Sequence, residues 1–197
     1  AMALNAGSLN PQPREETAMR QKALRRKMPG GDQGEALLAQ PGSKLEAVIQ
    51  LAAVQEGTAL VVLSGTCLLE GSDADKWTRE ILTTGDFRDW RLVTSAAEEG
   101  DSAAGVLIWY DSRVLEAVGG ADHLLRGRLL VQRLRVRADA TEMELIAAYA
   151  PPRQWESARD AHRARRQLFW ARLRVRTMAE RGRVAVAGDL NAETPEA

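Results

Sequence analysis

The chain has 197 residues, with 27 acidic and 27 basic side chains, so its formal net charge at pH 7 is zero. Hydrophobic residues make up 45% of the sequence, which is ordinary for a globular domain with a substantial core. The sequence lacks a run of about 18 apolar residues, a charged-then-apolar leader and a second cysteine beside Cys67. These features argue against a membrane span, a secretory signal and an intrachain disulfide. They predict an intracellular protein, nuclear or cytoplasmic.

The first half of the chain alternates between segments typical of helices and of strands. Residues 10–42 differ from their surroundings, because Pro and Gly break regular structure on either side of a charged stretch, and we interpret them as a surface insertion. The periodicity of the apolar residues predicts, in chain order, a helix over 44–55, a strand from Leu60, a short helix over 75–82, and strands over 92–94 and 106–109.

The second half is predicted to begin with a hairpin. Arg133, Arg135 and Arg137 alternate with Leu134 and Val136, which indicates a strand with its arginines directed outward. That strand is expected to pair with residues 143–149 across a turn at 138–141.

A long helix is expected over residues 159–181. One of its faces carries apolar residues at helical spacing, namely Ala164, Leu168, Ala171, Val175 and Met178. We predict that this face packs on the core and that the remaining face, mostly arginine, is solvated.

The last predicted strand leads into polar residues. Residues 184–188 are small or β-branched, which indicates a buried strand, and Asp189 and Asn191 follow its glycine. Side chains two apart on a strand point the same way, so both would project from its carboxyl end. A carboxylate and a carboxamide there suit a hard cation beside a phosphate. Gly, Asp and Asn are also common turn formers, so a plain turn is the alternative.

Tyr149 lies near the end of another strand. Pro151 and Pro152 follow it, and proline cannot donate to a strand ladder, so the strand must stop there. The phenolic hydroxyl of Tyr149 could bind a ligand oxygen, or the residue could be a half-buried packing residue.

A strand ending in Tyr149-Ala-Pro151, a helix, and a strand ending in Gly188-Asp189-Leu-Asn191 resemble the endonuclease/exonuclease/phosphatase superfamily, above all its apurinic endonucleases and the endonuclease domains of non-LTR retrotransposons. Residues 4–9 resemble the family's first strand with its Asn5, residues 60–63 the strand that normally ends in Gln-Glu-Thr, and residues 105–109 its glycine-led central strand. The resemblance implies an α/β fold: a DNase I-like two-sheet α/β sandwich with helices on its outer faces, incomplete at the C-terminus. Residues 1–197 would form a single partial domain.

The resemblance also implies a phosphodiester hydrolase that uses Mg²⁺ or Mn²⁺ and acts on DNA. Its catalytic residues would be Asp189, Tyr149 and Asn191, with Asp189 activating or orienting the attacking water and Tyr149 bonding the phosphate. Asn5 would join Asp189 and Asn191 in holding the metal or its waters. Substrate binding would fall to two further residues, Thr66 and Arg153.

The sequence departs from this pattern at two places. Gly65 stands where the family carries its metal-binding glutamate, and the family's closing Asp-His pair has no counterpart after Asn191. Asp122-His123 precedes the other motifs, so we interpret it as a chance pair in a loop. We therefore expect weakened metal binding and little or no hydrolysis. The alternative is a degenerate, non-catalytic member of the family that serves as an interaction, structural or nucleic-acid-binding subunit.

Charge and strand order suggest partners. Between Arg126 and Arg183 there are fifteen arginines and six acids, as in proteins that bind a phosphate backbone. Only four of the 27 basic residues are lysine, so an arginine-biased composition is the alternative. The sheet is expected to have an unpaired edge along residues 184–187, which could recruit a protein partner.

Overall fold

The computed structural model describes residues 2–5, 57–97, 104–151, 159–179 and 182–191. The strands and helices are, in order, β1 (Met2–Asn5), β2 (Leu60–Ser64), α1 (Asp73–Thr83), β3 (Trp90–Ser95), β4 (Val106–Asp111), β5 (Leu115–Ala117), β6 (Asp122–Leu125), β7 (Leu129–Val136), β8 (Glu142–Tyr149), α2 (Arg159–Ala179) and β9 (Arg183–Asp189). The predicted insertion at 10–42 and the predicted helix at 44–55 lie outside the described residues.

The strands form two sheets. The first has the order β1-β2-β4-β3, with β1 parallel to β2 and the other pairs antiparallel. The second has the order β5-β7-β8-β9, and β6 also pairs with β7. Strands β7 and β8 form the predicted antiparallel pair, whereas β8 and β9 are parallel and flank helix α2 in the chain.

Alternating side chains of each sheet fill two different apolar layers. Val62 and Ile108 of the first sheet pack with Leu134 and Leu145 of the second, which forms the core between the sheets. The other face of the first sheet packs against α1, and the other face of the second packs against α2. The order of layers is therefore helix, sheet, sheet, helix, which confirms the predicted α/β sandwich.

Helix α1 begins two residues before its predicted start. The Ser72 hydroxyl accepts a hydrogen bond from Asp75 N at 3.2 Å and so caps the first turn. Near the other end, the indole nitrogen of the fully buried Trp109 donates to Leu82 O at 2.6 Å. This bond satisfies a polar atom that would otherwise be costly to bury, and it ties α1 to the sheet.

The core-facing side of α2 differs from the prediction. The five residues predicted to be buried are all exposed, namely Ala164, Leu168, Ala171, Val175 and Met178. Phe169 and Leu173 are buried instead, and Trp170 packs beside them. The helix carries apolar residues on two faces, and the face with the aromatic rings and Leu173 removes more apolar area from water when it packs. None of the described helices is long and apolar enough to cross a membrane.

Three further strands differ from expectation. Strands β5 and β6 were not predicted, and β6 contains Asp122 and His123, so the interpretation of that pair as part of a loop is wrong. Both residues are exposed, and β7 lies between them and β8. Strand β9 is half-exposed rather than buried, because it pairs with β8 alone among the described strands. The predicted edge at 184–187 lies in this strand.

Candidate active site

Backbone hydrogen bonds bring the carboxyl ends of β2 and β8 to one end of the sandwich. Thr66 N donates to Gly105 O at 3.1 Å, and Gly105 N donates to Gly127 O at 2.9 Å. At the next residue, Arg128 O accepts from Tyr149 N at 2.8 Å. This chain of contacts runs from the first sheet to the second, so the ends of two strands that carry predicted site residues meet at one edge.

Tyr149 and Asp189 are neighbours across the parallel strands β8 and β9. They are register partners, and register partners on adjacent strands direct their side chains to the same face. Tyr149 packs against the layer between the sheets, as do Ala185 and Ala187 of β9. By strand alternation, Asp189 follows them onto that inner face. The phenol and the carboxylate are therefore placed side by side at the carboxyl ends of their strands.

Gly188 allows β9 to approach β8 this closely. Its φ is +134°, which L side chains rarely adopt. A Cβ atom added at this position would lie 1.9 Å from Ala148 O, far inside van der Waals contact. The glycine of the Gly-Asp motif is thus required by the backbone geometry that sets Asp189 beside Tyr149.

The residues after Asp189 form a turn anchored to β8. Asn191 has φ +44°, and its backbone N–H donates to Asp189 Oδ1 at 2.8 Å. Ala150 N donates to Asp189 O at 2.8 Å, and the Asn191 carboxamide nitrogen donates to Ala150 O. The two interpretations of this motif are therefore compatible, because it is both a strand end and a turn. Its Asn191 nitrogen is engaged with the protein backbone, which leaves the carboxamide oxygen for a ligand.

Arg166 of α2 holds the same two loops together, and the sequence did not indicate this role. One guanidinium nitrogen donates to Pro151 O at 2.6 Å, and another donates to Asn191 O at 3.0 Å. Arg166 lies one turn before Phe169 on the packed side of the helix, so identifying that side correctly would have revealed it. A planar guanidinium can bond two carbonyls at once, which suits a bridge between two loops.

Arg128 is a second arginine that the sequence did not indicate. It is buried, its guanidinium carbon lies 4.8 Å from the centre of the Tyr149 ring, and a terminal nitrogen donates to Tyr149 O at 3.4 Å. A cation over an aromatic face is attracted by the ring's quadrupole. Arg128 therefore places a positive charge against the predicted catalytic phenol.

Of the other predicted residues, Thr66 follows the end of β2 and Asn5 lies at the end of the neighbouring β1. Gly65 has φ +66°, a conformation in which a glutamate would be strained, and Thr66 is buried against Gly105. Asn5 is the register partner of Ser64 on the parallel strand β1, which lies against β9. The structure describes only the backbone of Asn5. Arg153 lies outside the described residues.

The architecture is similar to that of several known structures. The AP endonuclease LMAP from Leishmania major matches with a TM-score of 0.54 at 19% sequence identity, over 81% of this chain and 52% of that chain. The APE2 catalytic domain from Xenopus laevis matches with a TM-score of 0.52 at 17% identity, over 75% of this chain and 52% of that chain. An endonuclease/exonuclease/phosphatase protein from Bacteroides vulgatus matches with a TM-score of 0.50 at 14% identity, over 75% of this chain and 57% of that chain. The chain has the endonuclease/exonuclease/phosphatase fold. This confirms the fold that the resemblance predicted.

The chain spans about half the length of these neighbours with the endonuclease/exonuclease/phosphatase fold. No family model matches the sequence, and no curated protein is similar to it in sequence. The activity, the substrate and the partners are therefore not given by the likeness, which concerns the fold.

The donor set for a divalent metal is incomplete in the described part of the endonuclease/exonuclease/phosphatase fold. Asp189 is the carboxylate at this edge, Gly65 offers no side chain, and no three His, Cys, Asp or Glu side chains of the described residues cluster closely enough to hold a metal ion. Mg²⁺ binds anionic oxygen ligands and gives up its waters reluctantly. The side chains that the structure describes do not fit the metal that the resemblance implies. The roles assigned to Asp189, Tyr149, Asn191, Asn5, Thr66 and Arg153 stay predictions.

Proposed function

We propose that this chain is an endonuclease-type phosphodiester hydrolase domain from a retroelement whose hydrolysis is impaired. The observation that carries the proposal is the register pair Tyr149 and Asp189 at the carboxyl ends of β8 and β9. It supplies a hydroxyl donor and a carboxylate base on one face of the sheet, which are complementary to a phosphate and to the water that attacks it. The retroelement origin rests on the sequence resemblance alone.

The residues have separable tasks in the proposed site. Asp189 orients and deprotonates water, and its Oδ1 is held in place by Asn191 N. The Tyr149 hydroxyl donates to a phosphate oxygen, while Arg128 behind its ring adds positive charge that favours the anionic substrate. Mg²⁺ or Mn²⁺ is predicted from the resemblance, but the donor set is incomplete, so we assign no step to a metal. A carboxylate working with few partners is expected to be slow.

Nicking of supercoiled plasmid tests this proposal. In buffer containing Mg²⁺ or Mn²⁺ we expect slow nicking at high protein concentration, and we expect Asp189→Ala to lower the rate by about two orders of magnitude or more, to background. The control is Asp86→Ala, since Asp86 is an exposed acid beyond α1, and it should nick at the rate of the unmodified chain. Equal nicking by the Asp189→Ala chain would refute a catalytic role for this strand end.

A second candidate function is favoured by a different observation. The left-handed Gly65, where the resemblance predicts the metal-binding glutamate, supports a non-catalytic subunit. The excess of arginine over acidic residues between Arg126 and Arg183 favours nucleic acid as its partner. In that case the chain would bind a duplex of about 20 base pairs without nicking it, and the affinity would fall about tenfold or more between roughly 50 and 200 mM salt, because phosphate contacts release counterions. Fluorescence anisotropy measures this binding. Absence of binding at the lower salt concentration would leave a protein partner, for instance at the β9 edge, as the remaining prediction for a non-catalytic chain.

A further inference from the structure

The outward face of α2 carries an apolar stripe, here called the α2 seam, formed by Ala164, Leu168, Ala171, Val175 and Met178. The exposed fractions of its larger side chains are 44% for Leu168, 69% for Val175 and 72% for Met178. The spacing of four, three, four and three residues is the heptad spacing of a coiled coil, and it extends over about 21 Å of helix. The opposite side of α2 is occupied by Phe169 and Leu173 against the second sheet.

Exposed arginines border the α2 seam on both sides. Arg165 and Arg172 follow one edge, and Gln167 and Arg174 follow the other. These are the positions next to the contact residues, which set partner choice in a coiled coil. Among the side chains that the structure describes, no acid lies within ion-pair distance of Arg165 or Arg174, and Arg172 donates to Leu124 O. Three of these four described flanking side chains are therefore positive, and none is acidic.

We propose that the α2 seam is the docking site for an amphipathic helix of another protein, with large apolar residues at its contact positions and Glu or Asp on both flanks. The heptad spacing specifies a helix as the occupant. The arginine borders specify acidic flanks, since opposite charges at these positions attract and like charges repel. This proposal does not depend on the hydrolase function.

Charge argues against a second copy of this chain as the occupant. Two α2 seams packed antiparallel would oppose the border of Arg165 and Arg172 in one copy with the same border in the other. The shape of the stripe argues against a membrane surface. It is the narrow seam of a coiled coil rather than a broad apolar face, two of its five residues are alanine, and the aromatic residues Phe169 and Trp170 lie on the packed side. The small contact residues leave room for large ones on the partner.

The experiment uses the whole chain and two synthetic helical peptides of about three heptads, identical in their Leu contact positions. One peptide has Glu at the flanking positions and the other has Lys. We expect the acidic peptide to bind at least about tenfold more tightly than the basic one by fluorescence anisotropy, with the difference shrinking as salt is added. Equal binding of the two peptides, or binding of neither up to about 200 μM, would overturn the proposal.

Two variants locate the binding. Val175→Glu and Met178→Glu each introduce a charge into the α2 seam at strongly exposed positions, so circular dichroism should show an unchanged fold. Each is expected to weaken the acidic peptide about tenfold or more. Val114→Glu is the matched control, because Val114 is an exposed apolar residue, 42% accessible, outside the helix. Undiminished binding by both seam variants would contradict the proposal.

The same variants also test the two alternative occupants of the α2 seam, a second copy of this chain and a membrane surface. In sedimentation equilibrium, we expect the unmodified chain and the Val175→Glu variant to show the same degree of self-association. Vesicles with about one third phosphatidylserine are expected to bind no more strongly to the unmodified chain than to Met178→Glu. Dimerisation or vesicle binding that is lost in these variants would assign the α2 seam to a second copy or to a membrane and overturn the helix proposal.

Discussion

Replacing Gly188 with alanine is expected to lower the free energy of unfolding by about 3 kcal/mol or more, among the largest effects available to a single methyl group. The added Cβ would lie 1.9 Å from Ala148 O, and backbone cannot move aside as a flexible side chain does. The φ of +134° adds strain of its own, since alanine rarely adopts it. Urea denaturation monitored by tryptophan fluorescence measures the change.

Gly182→Ala is the matched control for Gly188→Ala. Gly182 lies just before the same strand, and a Cβ atom there meets nothing within 4 Å. We expect its unfolding free energy to change by no more than about 0.5 kcal/mol. If both variants unfold like the unmodified chain, β9 does not approach β8 as closely as described, and the alignment of Asp189 with Tyr149 fails with it.

Arg176→Met is expected to destabilise the protein by about 3 kcal/mol, because it leaves the Glu144 carboxylate buried without its main partner. Glu144 is only 3% exposed. Arg176 Nε donates to Glu144 Oε1 at 2.8 Å, and a second guanidinium nitrogen of Arg176 donates to Oε2. Arg133 is also near, at 3.9 Å, so part of the charge remains balanced and the loss falls at the lower end for a broken buried pair. Thermal and urea unfolding provide the measurement.

Arg135→Met provides the comparison on the same sheet. Arg135 also forms a two-nitrogen contact with a carboxylate, that of Glu142, at 2.6 Å, but both side chains are about two-fifths exposed. Water solvates both groups after the pair is broken, so the expected loss is at most about 1 kcal/mol. Similar losses in Arg176→Met and Arg135→Met would show that burial does not distinguish the two pairs. The double variant Glu144→Leu with Arg176→Met should recover much of the stability, since it removes the buried charge altogether.

The local pattern of apolar and charged residues was sufficient to predict the hairpin of β7 and β8. The alternation of arginine with Leu134 and Val136 predicts a strand with one solvent-exposed face, and Arg133 is exposed while Leu134 is buried. The prolines after Tyr149 predicted where β8 stops. Each of these inferences depends on interactions between residues close in sequence, and these interactions do not depend on how the rest of the chain packs.

Helix α2 shows where local pattern fails. Its sequence predicted a helix correctly, with the observed start at Arg159, but it offered two apolar faces. The choice between them depended on the area that each face could bury against the second sheet, and no property of the helix alone contains that quantity. Arg166 was missed for the same reason, since its role follows from the face that packs.

The sequence by itself determined the strand ends that carry Tyr149 and Asp189 and, through the resemblance that the order of its motifs carries, the two-sheet fold. Only the tertiary structure decided that Tyr149 and Asp189 are register partners, that Gly188 is needed because β9 passes within contact of Ala148 O, and that Arg128 and Arg166 support the site. It also left the α2 seam on the outside. The physical reason is that periodicity records which residues share a face of one element, whereas packing, register and close approach depend on a second element distant in sequence.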